Sequence, residues 1–419
     1  MIRAPVPLAF EPPPRGGDGD ILKGSFLAFL ALLALLAAPT AGCGGSRPCS
    51  GDSGCACDPE VVPDADRDGY NALEDCDEGL ASVNPGAVEI PCDGIDQDCD
   101  GPGDDTPDAD GDGADACAPH EGGDAEAEDC DDTDPAVRPG AEELANAVDD
   151  DCDGSVLVGA GAFLMGKEGS LWEFLPVHEV DTPAFEMDTF EVTNADFIVF
   201  LAEQGNLSAE GMERYDLDDA EGDGRIFEEG GAWAVEPGWE RHPVVEVSWF
   251  GARDYCAWRG ARLPSEAEWE KTARGGCEAR GDVTCDPEDD MPEWPWGDES
   301  FGADSGELAN SNGRRGTTEE VGSHPAGVSV YGAQDLAGNV WEWVEDCWHP
   351  SYDGAPTDGS AWTADCVGEA DPGDPETLQR IRRGGGYNLT LDVSTVYVRF
   401  FTSAYTSNQD AGFRCASDL

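Results

Sequence analysis

Residues 63–154 carry one acidic, cysteine-bearing pattern twice, and that duplication limits what this stretch can fold into. The first copy runs Asp64-Ala65-Asp66-Arg67-Asp68-Gly69, then Asp75-Cys76-Asp77, Asn84-Pro85-Gly86-Ala87 and Asp96-Gln97-Asp98-Cys99-Asp100-Gly101. The second runs Asp108-Ala109-Asp110-Gly111-Asp112-Gly113, then Asp129-Cys130-Asp131, Arg138-Pro139-Gly140-Ala141 and Asp149-Asp150-Asp151-Cys152-Asp153-Gly154. Neither copy has enough apolar residues to fold by burial alone. Disulfides and metal ions are the available substitutes for a core. The symmetric pairing joins Cys76 to Cys99 and Cys130 to Cys152.

Asp-x-Asp-x-Asp-Gly is the first half of a calcium loop. Alternate carboxylates supply hard oxygen ligands, and the glycine permits the turn that wraps the chain round the ion. The candidate ligands are Asp64, Asp66, Asp68 and Asp75 in copy one and Asp108, Asp110 and Asp112 in copy two. Asp75 falls at the twelfth loop position, where an EF-hand places Glu; copy two has Pro119 there and is not an EF-hand loop. A soft metal would call for thiolate or imidazole instead. The stretch resembles the Asp/Cys-rich metal-binding repeats of secreted bacterial surface proteins. A disordered acidic spacer is the competing reading.

The whole chain of 419 residues is acidic, with 90 Asp and Glu against 23 Lys and Arg and a formal net charge of −67. Nothing offsets repulsion from a phosphate backbone, so nucleic acid is excluded as a partner. Sixteen cysteines point to an oxidising compartment. Lys23 is followed by an apolar run, Gly24 to Ala38, too short to span a membrane comfortably. The run ends in Pro39-Thr40-Ala41-Gly42-Cys43, which resembles a bacterial lipobox with Thr40 at a position usually Leu, Val or Ile. Residues 1–42 are therefore expected to be a lipoprotein-type signal peptide, with Cys43 the lipidated N-terminus; an ordinary cleaved signal is the alternative. Residues 43–62 form a tether, and Gly44 after the cysteine suggests outer-membrane sorting or the cell surface.

At Ser155 the composition changes, and tryptophans, phenylalanines and apolar segments return as a packed core requires. Ordered strings follow: Phe163-Leu164-Met165-Gly166, Phe190-Glu191-Val192-Thr193-Asn194, His242-Pro243-Val244-Val245-Glu246-Val247-Ser248-Trp249, Arg262-Leu263-Pro264-Ser265-Glu266-Ala267-Glu268-Trp269-Glu270, Leu336-Ala337-Gly338-Asn339-Val340-Trp341-Glu342-Trp343, Arg383-Gly384-Gly385-Gly386-Tyr387 and Gly412-Phe413-Arg414-Cys415. Thr193 or Asn194 can cap a helix that begins there, Ala252–Trp258 reads as a helix, and another starts in the Arg262 string. In this order the strings, over residues 155–419, resemble the formylglycine-generating enzyme (sulfatase-modifying factor) family. The resemblance implies an α+β, C-type-lectin-like fold with little regular secondary structure. It implies a calcium site at Asp335, Gly338, Val340 and Glu342, a second beginning at Asn310 and Ser311, and a Cys256–Cys415 disulfide. The segments 216–231 and 353–375 read as variable surface loops.

Catalytic members of that family hold copper(I) on two thiolates that follow Gly-Gly-Ser-Tyr. Here the corresponding positions are Leu389 and Ser394. Cys277 and Cys285 are near enough in sequence to bridge a loop, as are Cys347 and Cys366, so the domain has no spare thiol. Five histidines form no HxxxH-type arrangement, and none stands close in sequence to Ser394 as a base. The expectation is a lipid-anchored envelope protein whose domain binds a protein or glycan without catalysis, with calcium and without copper. A formylglycine-generating oxidoreductase is the alternative.

Overall fold

The computed structural model describes residues 64–419 apart from 72, 74, 78, 88–96, 100–109, 111–113, 115–128, 218–223, 282–283, 287–290, 299–304 and 367–377. Cys43 and the expected signal and tether lie outside the described residues, as do Asp108 and Asp112. Among the described residues no helix is long and apolar enough to cross a membrane.

The fold from Ser155 onward is α+β, with three α-helices among the described residues and short strands joined by long ordered loops. β1 (Ser155–Val158), β4 (Phe185–Asp188) and β11 (Ala416–Asp418) form an antiparallel sheet in the order β1-β4-β11, bringing the start of this part of the chain beside its end. A second sheet has the order β10-β7-β8-β9. In it β7 (Trp341–Cys347), β8 (Gln379–Arg383) and β9 (Arg399–Ser403) are antiparallel, and the two residues of β10 (Ala411–Gly412) pair parallel to β7. Two hairpins complete the strands: β2 (Gly161–Met165) with β3 (His178–Thr182), and β5 (Ile226–Glu229) with β6 (Ala232–Val235). The segment 216–231, expected to be a plain surface loop, thus contributes a strand. Ile226 is buried and its backbone N–H donates to the Tyr215 hydroxyl at 3.0 Å, so burial of one side chain anchors the hairpin.

Each helix starts on a side chain that satisfies backbone donors the helix itself cannot. Thr193 caps α1 (Asn194–Gln204) through a capping box with Asp196, Ser248 caps α2 (Trp249–Arg259), and Ser265 caps α3 (Glu266–Arg274) through a box with Glu268. α2 ends at Gly260, whose φ of 86° suits a residue without Cβ. α1 and α2 bury Phe197, Phe200 and Tyr255 against Phe413 and Trp343, and the Cys256–Cys415 disulfide ties α2 to the last strands. All nine residues of α3 are buried, charged ones included. Glu266 pairs with Arg399, and Glu270 with Arg274 and Arg383. Lys271 Nζ donates to Gly159 O, Gly161 O and Thr182 Oγ1 at 2.6–3.0 Å. Buried charges with these partners fix the position of α3 under the second sheet, because breaking any one pair leaves a desolvated charge behind.

Candidate functional site

Two acidic clusters bring carboxylate oxygens together and a third arrangement buries three carboxylates beside an arginine, while the family's two copper positions are Leu389 and Ser394. In the first repeat each aspartate spends one oxygen on the turn. Asp64 Oδ1 accepts from Arg67 N at 2.6 Å, Asp66 Oδ1 from Asp68 N at 3.3 Å, Asp68 Oδ1 from Tyr70 N at 2.9 Å and Asp75 Oδ1 from Asp77 N at 2.8 Å. The second oxygens of Asp66, Asp68 and Asp75 are buried with no hydrogen-bond partner. Oxygens of Asp64, Asp66 and Asp68 lie within 4.8 Å of one another, and Asp75 is only 8% exposed. Arg67 and Gly69 turn the chain with φ of 72° and 111°. Burial holds the Asp66 carboxyl above the usual range, and the charges of Asp68, Asp75 and Asp64 push the same way. The four residues thus converge electrostatically, with oxygen donors aimed inward, as a hard divalent cation requires. Asp75 also lies near Cys76 and Cys99, but those sulfurs form a disulfide and offer no thiolate.

The second repeat supplies a cluster that the sequence did not single out. Oxygens of Glu143, Asp149 and Asp151 lie within 4.8 Å of one another. Burial, followed by the charges of Asp150, Asp149 and Asp151, pushes Glu143 up to about 7. Burial and the charges of Asp153 and Asp151 push Asp149 up to about 6. Glu143 was missed because it lies outside the repeating string; the Cys130–Cys152 disulfide and the turns between bring it back onto Asp149. Of the expected ligands in this copy, Asp110 is among the described residues.

The third arrangement is in the folded domain. Asp335 and Glu342 are buried, and they share one electrostatic cluster with Glu191 and Arg414. Burial first, then the charges of Asp335 and Glu342, raises Glu191 well above its ordinary value. Glu342 Oε2 accepts from Arg414 Nε and Trp269 Nε1, both at 2.7 Å, and its Oε1 accepts from Arg414 Nη2 at 2.8 Å. The backbone of Gly338 and Val340 is fixed by bonds from their N–H groups to Gly384 O at 2.9 Å and Glu191 Oε1 at 3.2 Å. Three buried carboxylates thus face one guanidinium, an excess of negative charge that a cation would offset. Glu191 and Arg414 were not expected as part of this site, because they are separated from it by more than seventy residues of sequence at Arg414 and more than a hundred at Glu191.

Asn310 and Ser311 line a separate cavity of about 200 Å³, together with Arg314, Arg315 and Glu319. Asn310 Nδ2 donates to Thr317 O and Asn339 Oδ1, while its buried Oδ1 has no partner. The orphaned oxygen suits a cation, but the two arginines on the wall oppose one.

Leu389 and Ser394 do not fit copper(I). Ser394 is completely buried, its hydroxyl has no partner, and a Cβ at Gly385 would collide with it. Leu389 presents no donor side chain. Each cysteine among the described residues is disulfide-bonded: Cys76–Cys99, Cys130–Cys152, Cys256–Cys415, Cys277–Cys285 and Cys347–Cys366. No thiolate from these residues reaches the position.

Capped helices, two small sheets and long ordered loops define an α+β domain of the C-type-lectin-like class. The chain belongs to the sulfatase-modifying factor family, whose model, described as "Sulfatase-modifying factor enzyme 1-like domain", matches residues 141–419. That match begins inside the second acidic repeat, ahead of Ser155 where the composition changes. A second model, described as a "Putative metal-binding motif" and named for copper-binding MopE, matches residues 75–105. The chain is 34% identical to a serine/threonine-protein kinase Pkn1 of Chlamydia trachomatis over 264 residues, which is 63% of this chain and 38% of the kinase. It is 31% identical to a formylglycine-generating enzyme of Thermomonospora curvata, over 63% of this chain and 93% of that enzyme. Among solved structures it resembles PvdO from Pseudomonas aeruginosa, with 27% identity, a TM-score of 0.47 and coverage of 63% of this chain and 94% of that one.

Proposed function

We propose that this chain is a lipid-anchored protein of the bacterial envelope whose acidic repeats bind calcium and whose sulfatase-modifying-factor domain is a non-catalytic binding or assembly module. The observation that carries the non-catalytic reading is the substitution of both copper positions, by Leu389 and by the fully buried Ser394. Calcium is favoured over copper because the convergent donors are carboxylate oxygens, which are hard ligands. In the folded domain Asp335, Glu342 and the carbonyls of Gly338 and Val340 would hold a calcium ion that cements the loops. The bound ion supplies charge neutralisation there and no redox chemistry. Lipidation of Cys43 would place the protein on the outer membrane or cell surface, where the partner is an envelope protein or a glycan and not a nucleic acid.

The second reading is a formylglycine-generating oxidoreductase, favoured by the likeness to the Thermomonospora curvata enzyme over nearly its whole length. One experiment decides between the two. A Cys-x-Pro-x-Arg peptide is incubated with the protein, copper, reductant and oxygen and examined by mass spectrometry. The expected result is an unchanged mass. Reproducible loss of mass to the aldehyde would overturn the non-catalytic reading.

A further inference from the structure

The second repeat and the folded domain enclose a cleft of about 820 Å³, far from the family's copper positions in the sense that it shares no lining residue with the loop 384–394. Its apolar surface comes from α1 and α2, through Val199, Tyr255 and Trp258, with Phe190 and Val321 beside them. Val199 is half exposed, so the apolar wall opens to solvent. Six carboxylates line the cleft: Asp149 and Asp153 from the repeat, Asp188 and Glu191 from the end of β4 and the turn after it, Asp196 from α1 and Glu240 from the loop before α2. Two arginines also line the cleft. Arg259 is already committed to Asp188, with both guanidinium contacts at 3.1 Å, which leaves Arg241 against the five other acids of the lining.

The Arg259 arrangement shows what this chemistry holds. Its guanidinium sits between a carboxylate, Asp188, and the face of Tyr255, whose ring centroid is 6.0 Å away. An aromatic wall beside carboxylates is the general means of binding a guanidinium or an ammonium that carries an aliphatic stem. The volume lies within the range of peptide and small-ligand pockets.

We infer that this cleft binds a basic peptide segment of a partner protein, with Lys or Arg side chains entering between Trp258 and the Asp149–Asp153 wall. The inference rests on the reading of the domain as a binding module and gives that module a surface and a partner chemistry. A segment of this chain is a poor occupant, because 23 basic residues are spread among 90 acidic ones.

The test uses the full chain and a fluorescein-labelled peptide, acetyl-Gly-Arg-Leu-Lys-Arg-Gly-amide, read by anisotropy at low and physiological salt. Saturable binding that weakens with salt is expected. Asp153→Asn with Glu240→Gln should weaken it about tenfold, because desolvated charge pairs control such complexes. Both changes keep the oxygens that accept from Ser155 N and Gly238 N, so the fold is retained. Val199→Arg, which tethers a guanidinium at the mouth, should weaken binding similarly. Glu228→Gln with Glu229→Gln removes the same charge from the exposed β5 strand and should leave affinity unchanged. Equal weakening by both double changes would mean that only the general acidic field attracts the peptide, and the proposal would be wrong. No saturable binding, or indifference to Val199→Arg, would also overturn it. The peptide has no cysteine, so aldehyde formation in the separate Cys-x-Pro-x-Arg assay would sink the non-catalytic reading without bearing on this one.

Discussion

Replacing Arg414 by methionine tests whether the cluster around Glu342 is organised by charge. Arg414 is fully buried and makes contacts to Glu342 Oε1 and Oε2, Asp188 O, Thr189 O and Gln334 O, all between 2.7 and 3.0 Å. Methionine fills much of the same volume, so the loss is mainly electrostatic. Removing one partner of a buried ion pair costs about 3–5 kcal/mol, because the remaining charge stays desolvated. Here three carboxylates remain, which places the expected loss toward the upper end, about 4–5 kcal/mol, or roughly 10 °C in Tm for a domain of this size. The loss should depend on pH. Glu191 and Asp335 already have folded pKa values above those of the unfolded chain, chiefly through burial, and removing Arg414 raises them further. The folded form therefore takes up protons as pH falls. The destabilisation is largest at neutral pH and shrinks as pH drops through the folded values. Added calcium should recover part of the loss at neutral pH, since it replaces the missing positive charge. The measurement is urea unfolding followed by tryptophan fluorescence at pH 5 and pH 7.5, with and without calcium. A loss under about 1 kcal/mol, or one equal at both pH values, would refute the argument that surplus buried charge governs this site.

Other outcomes follow from the same structure. Asp66→Asn with Asp68→Asn should weaken calcium binding to the repeats by about tenfold or more by titration calorimetry, because two charged inward oxygens become neutral; unchanged affinity would move the ion elsewhere. In the unaltered protein calcium should shrink the hydrodynamic radius and slow proteolysis of residues 63–154, and a chelator should reverse both. Leu389→Cys with Ser394→Cys should gain copper(I) affinity that the natural chain lacks, measured by competition with a chromogenic chelator. Cys43→Ala should abolish palmitate labelling and membrane retention; labelling that persists would disprove lipidation at Cys43.

The sequence by itself determined the parts that depend on local chemistry. The string Asp64 to Gly69 read as a cation loop, because alternate carboxylates and a glycine specify that turn within a few residues, and the structure brings those carboxylates together. The cap at Thr193 was likewise written locally, whereas Ser248 and Ser265 took their capping roles only in the structure. The order of the strings from Phe163 to Cys415 was enough for the family, and Leu389 and Ser394 alone removed the copper ligands. Tertiary structure decided which distant residues share a charge environment. Glu191 and Arg414 reach Asp335 and Glu342 only because β10 pairs with β7 and the chain end returns beside β4. Glu143 meets Asp149 and Asp151 only once the turns between them close, and the cleft beside Trp258 exists only where the second repeat lies against α1 and α2. Coulomb energy and desolvation depend on distance through space and on burial. Neither is written in the spacing of residues along a chain, so a carboxylate reads the same in sequence whether it ends on the surface or beside two others in the core.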